Sequence, residues 1–219
     1  MTEEETAGQA DVAVDNDVLI KVACYGLTAQ LWTTRIPGIL GAARFVAVGR
    51  IGKMPLVADP AAAQAAALEL IERSAELEPT AQELELAAAI ETAAQRRGLA
   101  LDAGESQLAA MVARRGIPLS ETGDKRAIKG FEALLDELEG LAVLYGRLRC
   151  LEQIFLRCAD ASNPEALAHA ICAEPEVDKA LTICFRCLSP PPHGAKLDTE
   201  GLESYIGALR AEAPRVLEP

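Results

Sequence analysis

Residues 101–130, LDAGESQLAAMVARRGIPLSETGDKRAIKG, decide how the chain is read. Asp102 and Glu105 flank a glycine just ahead of an apolar, helix-like run at 106–115, which Gly116 stops. A short extended piece follows at 117–120, and Thr122-Gly123-Asp124-Lys125-Arg126 opens the next helix. Acids therefore stand where extended segments turn into helices, the arrangement that a metal-dependent site needs.

Towards the N-terminus the pattern repeats. Val12-Ala13-Val14 reads as a strand that ends at Asp15-Asn16-Asp17, and a helix follows over 18–27, capped by Asn16 or Asp17. In open α/β sheets, ligands settle at the carboxyl ends of strands, and Asp15 falls at such a place. The apolar stretch 39–51, with Arg44 and Arg50 spaced through it, admits helix or strand. Asp59-Pro60 begins an Ala-rich helix predicted to reach Leu77, with Asp as N-cap and Pro at the first helical position. Thr80-Ala81-Gln82-Glu83 has capping-box form and begins a helix to Arg97, ended by Gly98. Short strands alternating with helices predict a small parallel sheet between helical layers over 11–130.

Towards the C-terminus no strand is predicted. Leucines recur with helical spacing from Phe131 to Cys158, and Asn163-Pro164 starts a helix to about Ala173. A third helix is predicted over 175–188, stopped by Ser189-Pro190-Pro191-Pro192-His193-Gly194, and a last one over 199–211. Residues 131–219 thus read as an all-helical extension, and residues 1–10 as a disordered acidic tail.

The 219 residues suffice for a full core, which must be built mainly from Ala, Leu, Val and Ile, since half the residues are apolar and only 4% aromatic. The net charge of −12 argues against a protein that coats nucleic acid, though an enzyme can still hold a basic rim beside an acidic site. The acidic N-terminus lacks the features of a signal peptide, and no apolar run reaches the roughly 18–20 residues that span a bilayer. The expectation is a cytoplasmic protein without membrane contact, its six cysteines reduced and buried.

Four acid positions sit at turns: Asp15, Asp102 with Glu105, and Asp124. Each is also a natural helix cap that favours the helix dipole, so it is their joint occurrence that carries the argument. Gathered carboxylates raise one another's pKa, and a bound Mg²⁺ or Mn²⁺ reverses that cost because hard cations take oxygen ligands. Such an ion can orient water and stabilise charge on a phosphate, which points to a metal-assisted phosphodiesterase.

On these residues the chain resembles the PIN-domain family of metal-dependent nucleases. The matching pieces are Val14-Asp15-Asn16-Asp17-Val18-Leu19-Ile20, Leu101-Asp102-Ala103-Gly104-Glu105-Ser106 and Thr122-Gly123-Asp124-Lys125-Arg126, in the family's order across roughly residues 10–130. The resemblance implies an α/β/α sandwich and Mg²⁺- or Mn²⁺-dependent cleavage, usually of RNA, with DNA as the other possible substrate. It implies Asp15, Glu105 and Asp124 as core metal ligands and catalytic acids, with Asp102 and Asp17 in support. Thr122 matches a hydroxyl of the family that helps orient a ligand or water. The family also carries a Glu in a helix between its first and third acids. The stretch 39–51 has none, so Glu83 is the substitute and Glu85 the second choice. Lys125 and Arg126, and also Arg114 and Arg115, are candidates for gripping a phosphate. The resemblance admits a small, toxin–antitoxin-like protein partner, and a homodimer is a separate candidate. The reading from a different class is a catalytically inactive PIN-like interaction module.

His169-x2-Cys172 and Cys184-x2-Cys187 give spacings that zinc could use, but both pairs lie in apolar helical patterns without zinc-knuckle turns, so core cysteines are the better reading. With only two histidines, both in the extension, a Ser/His/Asp triad lacks a base, and no P-loop or GxGxxG occurs.

Overall fold

In the computed structural model, which describes residues 10–41, 43–161, 163–188 and 199–219, five short strands form one all-parallel sheet. They are β1 (Val12–Val14), β2 (Pro37–Leu40), β3 (Ala75–Leu77), β4 (Ser120–Thr122) and β5 (Leu148–Cys150), in spatial order β3-β2-β1-β4-β5. The central strand β1 is buried on both faces. Val12 and Val14 join one hydrophobic core and Ala13 the other, as the two-residue period of a strand requires. Buried parallel strands of this kind are apolar throughout rather than alternating.

Helices cover both faces, so the chain is α/β with a parallel sheet between helical layers. One core is built on α1 (Asn16–Cys24), α2 (Ala43–Ile51), α3 (Pro60–Glu72), α7 (Leu151–Ala161), α8 (Pro164–Ala173) and α9 (Lys179–Cys184). The other is built on α4 (Ala81–Arg97), α5 (Ala103–Arg115) and α6 (Lys125–Leu134). α10 (Thr199–Glu212) gives Leu202 to the first core and Ile206 and Leu209 to the second. No helix among the described residues is long and apolar enough to cross a membrane.

Local chemistry sets the helix ends. Thr80 and Glu83 close a capping box on α4, and Asp102 and Glu105 close another on α5. Gly98 and Gly116 end these helices at φ 66° and 67°, a left-handed conformation that costs other residues a steric penalty. Asp59 caps α3, with Pro60 as its first residue.

Several sequence expectations need correction. The helix expected to run to Leu77 stops at Glu72, because Ala75–Leu77 pairs with β2 as strand β3. The stretch 39–51 divides between the end of β2 and α2. The strand expected at 117–120 starts three residues later, as Ser120–Thr122. The single helix expected over 131–158 is broken: Gly140 and Gly146 take φ 94° and 64°, and Leu148–Cys150 between them and α7 becomes β5. Residues 131–219 are therefore not all-helical, and the sheet crosses the boundary drawn at 130, since β5 pairs with β4. Of the helix expected over 175–188, only Lys179–Cys184 forms. Cys172 and Cys187 form a disulfide, so the cysteines are not all reduced and the zinc pairs are broken up. It became possible because α9 folds back on α8 and brings the two Cα atoms to 4.9 Å, within disulfide range. Cys24, Cys150, Cys158 and Cys184 are buried, as expected. The acidic tail, apart from Ala10, and the Pro-rich stop at 189–194 lie outside the described residues.

Candidate metal centre

The strand order creates the site. From β1 the chain moves outward to β2 and β3, then returns to the other side of β1 as β4 and β5. Connections leaving β1 and β4 therefore diverge, and the crevice they leave at the strands' carboxyl ends is where such sheets bind ligands. Here it is a cleft of about 460 Å³. Asp15 enters it from the end of β1, Asp17 from the first turn of α1, and Asp102 and Glu105 from the start of α5. Asp124 enters from the start of α6. Five carboxylates from three separate stretches thus line one cleft, and the N-termini of α1, α5 and α6 border it with partial positive charge.

Each acid has its own local partners. Asp15 precedes α1 yet makes no side-chain cap; its Oδ2 accepts a hydrogen bond from Thr122 Oγ1 at 3.3 Å. Thr122 Oγ1 in turn accepts from the Asp124 amide at 3.1 Å, so one hydroxyl ties the two acids together. Glu105 turns back to the Asp102 amide at 2.8 Å, and Asp102 Oδ1 accepts from the Glu105 amide at 2.8 Å. Asp124 is clasped by Arg126, Nη2 to Oδ2 at 2.6 Å, and also accepts from the Arg126 amide at 2.7 Å. Asp17 pairs with Lys21 at 2.7 Å, and Lys21 reaches Asp178 at 2.9 Å. Gly123 packs so closely on Asp17 that an added Cβ would collide with its carboxylate.

The electrostatics follow from crowding. Burial pushes the Asp15 carboxyl up to about 6, helped by the charges of Asp17 and Asp102 and opposed by hydrogen bonds from the Asn16 amide and Thr122. Burial pushes Glu105 up to about 7; the hydrogen bond from the Asp102 amide lowers it, and the charges of Asp102, Asp124 and Asp15 raise it again. Burial also acts on Asp124, but the Arg126 guanidinium and backbone amides outweigh it and hold this carboxyl below its usual range. Lys21 is held above the usual lysine range: burial opposes its charge, and Asp17 and Asp178 more than restore it.

These shifts fix a sign. Asp15 and Glu105 titrate at about 6 and 7 in the fold, against ordinary values of 3.8 and 4.5, so the metal-free fold binds more protons than the unfolded chain between those limits. Their contribution to stability is therefore present at low pH and lost as pH rises through 6 to 7, on the order of 2–3 kcal/mol for each carboxyl. Thermal unfolding in EDTA should show a midpoint that climbs as pH falls from about 8 to about 5. A midpoint that falls over this range would contradict the electrostatic account.

A hard divalent cation fits this donor set chemically. The donors are all oxygens, two of them are carboxyls whose charge the fold penalises, and the buried Oδ1 of the adjacent Asn16 has no hydrogen-bond partner. In the described arrangement each carboxylate is turned to its own partner, and no group of three or more His, Cys, Asp or Glu side chains among the described residues is gathered closely enough to hold an ion.

The remaining expectations divide. Arg126 lines the cleft, whereas Thr122 is buried behind it, its hydroxyl taken up by Asp15 and the Asp124 amide. Glu83 is not a site residue: it caps α4 and pairs with Arg115 at 2.7 Å, and Arg115, helped by hydrogen bonds from Thr80 and opposed by burial, holds its pKa down to about 2. Glu85 is exposed on α4 and does not line the cleft. Lys125 does not face the cleft either, because it pairs with the buried Glu152 and lies 4.6 Å over the Tyr205 ring. Arg114 and Arg115 sit at the far end of α5 from the cleft. Two cations that line the cleft were missed, Lys21 and Arg50. Lys21 stands four residues after Asp17, a spacing that announces an ion pair on a helix.

Comparison with known proteins brings no match: no family model, no curated protein and no solved structure aligns with the chain.

Proposed function

We propose that the chain is a PIN-like, divalent-metal-dependent nuclease that hydrolyses phosphodiester bonds, as an endoribonuclease. The observation that carries this reading is the convergence of Asp15, Asp102, Glu105 and Asp124, with Asp17, on one cleft at the switch point of a parallel sheet. Asp15, Glu105 and Asp124 would hold Mg²⁺ or Mn²⁺, with Asp17 and Asp102 in support. When bound, the ion supplies Lewis-acid polarisation of a phosphoryl oxygen and a more acidic water. Thr122 keeps the Asp15 carboxylate oriented, and its second bond, to the Asp124 amide, holds the two loops at a fixed spacing. Arg126 neutralises Asp124 in the absence of an ion; a cation on Asp124 would free this guanidinium to bind a substrate phosphate.

The test is cleavage of single-stranded and structured RNA by the purified chain with Mn²⁺ and with EDTA. Cleavage with Mn²⁺ alone supports the nuclease. No cleavage of any substrate would leave the cleft to a non-catalytic interaction module.

A further inference from the structure

The chain carries 33 acids, yet residues 18–58 contain none, while holding Lys21, Arg35, Arg44, Arg50 and Lys53. Helix α2 lies within this stretch. Its outward face presents Phe45, which is 85% exposed, beside Val46, Gly49 and Arg50, with Lys53 exposed just beyond. Arg50 also lines the acidic cleft, so this face runs directly into it. Among the described residues neither Arg50 nor Lys53 forms an ion pair, although the protein has acids in excess. An exposed aromatic flanked by cations that no ion pair engages is the combination that holds single-stranded nucleic acid, with the ring under a base and the cations on phosphates.

We propose that the outward face of α2 is a single-strand binding surface: Phe45 stacks on a base, and Arg50 and Lys53 hold the flanking phosphates, leading the strand into the cleft. The inference rests on the nuclease reading for its choice of a polyanion, and on the charge asymmetry for its place. It also accounts for how a chain of net charge −12 can approach a nucleic acid, since attraction is needed only along this edge.

The experiment measures fluorescence anisotropy of a fluorescein-labelled single-stranded RNA of mixed sequence, with full-length protein in EDTA, so that no cleavage intervenes. Phe45→Ala should raise Kd about tenfold, and Phe45→Tyr should leave it unchanged. Arg50→Gln and Lys53→Gln should each weaken binding equally for all sequences and lower the salt slope by about 0.7. A duplex of the same sequence should bind more weakly and ignore Phe45→Ala. Unchanged affinity in both Phe45→Ala and Arg50→Gln would overturn the proposal. So would a dimer that Phe45→Ala disperses on size exclusion, because a second copy would then cover this face. Binding without metal-dependent cleavage would defeat the nuclease reading and leave this surface standing. Cleavage that is indifferent to Phe45→Ala would do the reverse.

Discussion

Asp15→Asn will lower Mn²⁺-dependent RNA cleavage by about a thousandfold, and the same substitution will make the metal-free protein more stable at neutral pH. The activity figure corresponds to the several kcal/mol that a correctly held ion contributes to the transition state. The stability gain comes from the other side of the same chemistry. Burial and two neighbouring acids penalise the Asp15 charge, and Asn removes that charge while still accepting the Thr122 hydrogen bond. Removing a penalty of this size should stabilise the fold by roughly 1–2 kcal/mol after small losses in packing. Asp124→Asn should abolish cleavage as well, but without the stability gain, since Arg126 favours the Asp124 charge. Initial cleavage rates and thermal unfolding in EDTA, measured on the same preparations, check both halves. A residue with only a structural role would lose activity and stability together.

The second large effect lies on the sheet. Glu121 on β4 and Arg149 on β5 are register partners, almost fully buried, and paired at 2.7 Å. Trp32 Nε1 also donates to Glu121 at 2.8 Å, and Glu218 takes the other side of the Arg149 guanidinium at 2.7 and 2.8 Å. Burial alone pushes the Glu121 carboxyl up, and Arg149 is the main influence against it. Arg149→Met should therefore destabilise the protein by about 3–5 kcal/mol in urea unfolding, because it strands a carboxylate in the interior. Glu121→Gln with Arg149→Met should recover much of this loss, since the buried charge goes with its partner. A cost below about 1 kcal/mol for Arg149→Met would show that β5 is not held by this pair.

What was legible in the sequence is what short-range chemistry decides. Asp15 at the end of a buried Val-Ala-Val strand, the capping boxes at Thr80 and Asp102, and the glycine stops at Gly98 and Gly116 all depend on neighbours within a few residues. The convergence of the acids followed from the parallel sheet, which places strand ends and helix starts on one edge. What was not legible depends on partners far along the chain. Ala75–Leu77 and Leu148–Cys150 have no strand period of their own and are strands only because β2 and β4 offer them an edge. Glu83 and Lys125 looked like site residues until Arg115 and Glu152 claimed them. Arg50 could not be placed while 39–51 remained open between helix and strand. The disulfide needed the fold-back of α9, which no local pattern announces.

Mn²⁺ binding to the metal-stripped protein tests most directly whether these acids form a divalent-cation site. Thermal unfolding should shift upward with added Mn²⁺ at about pH 8 and lose that shift near pH 5, where protons compete for Asp15 and Glu105. The shift should vanish in Asp15→Asn and in Glu105→Gln, the latter keeping the α5 capping box because Gln fills the same position. No shift with Mn²⁺, or an equal shift in wild type and both variants, would contradict the account.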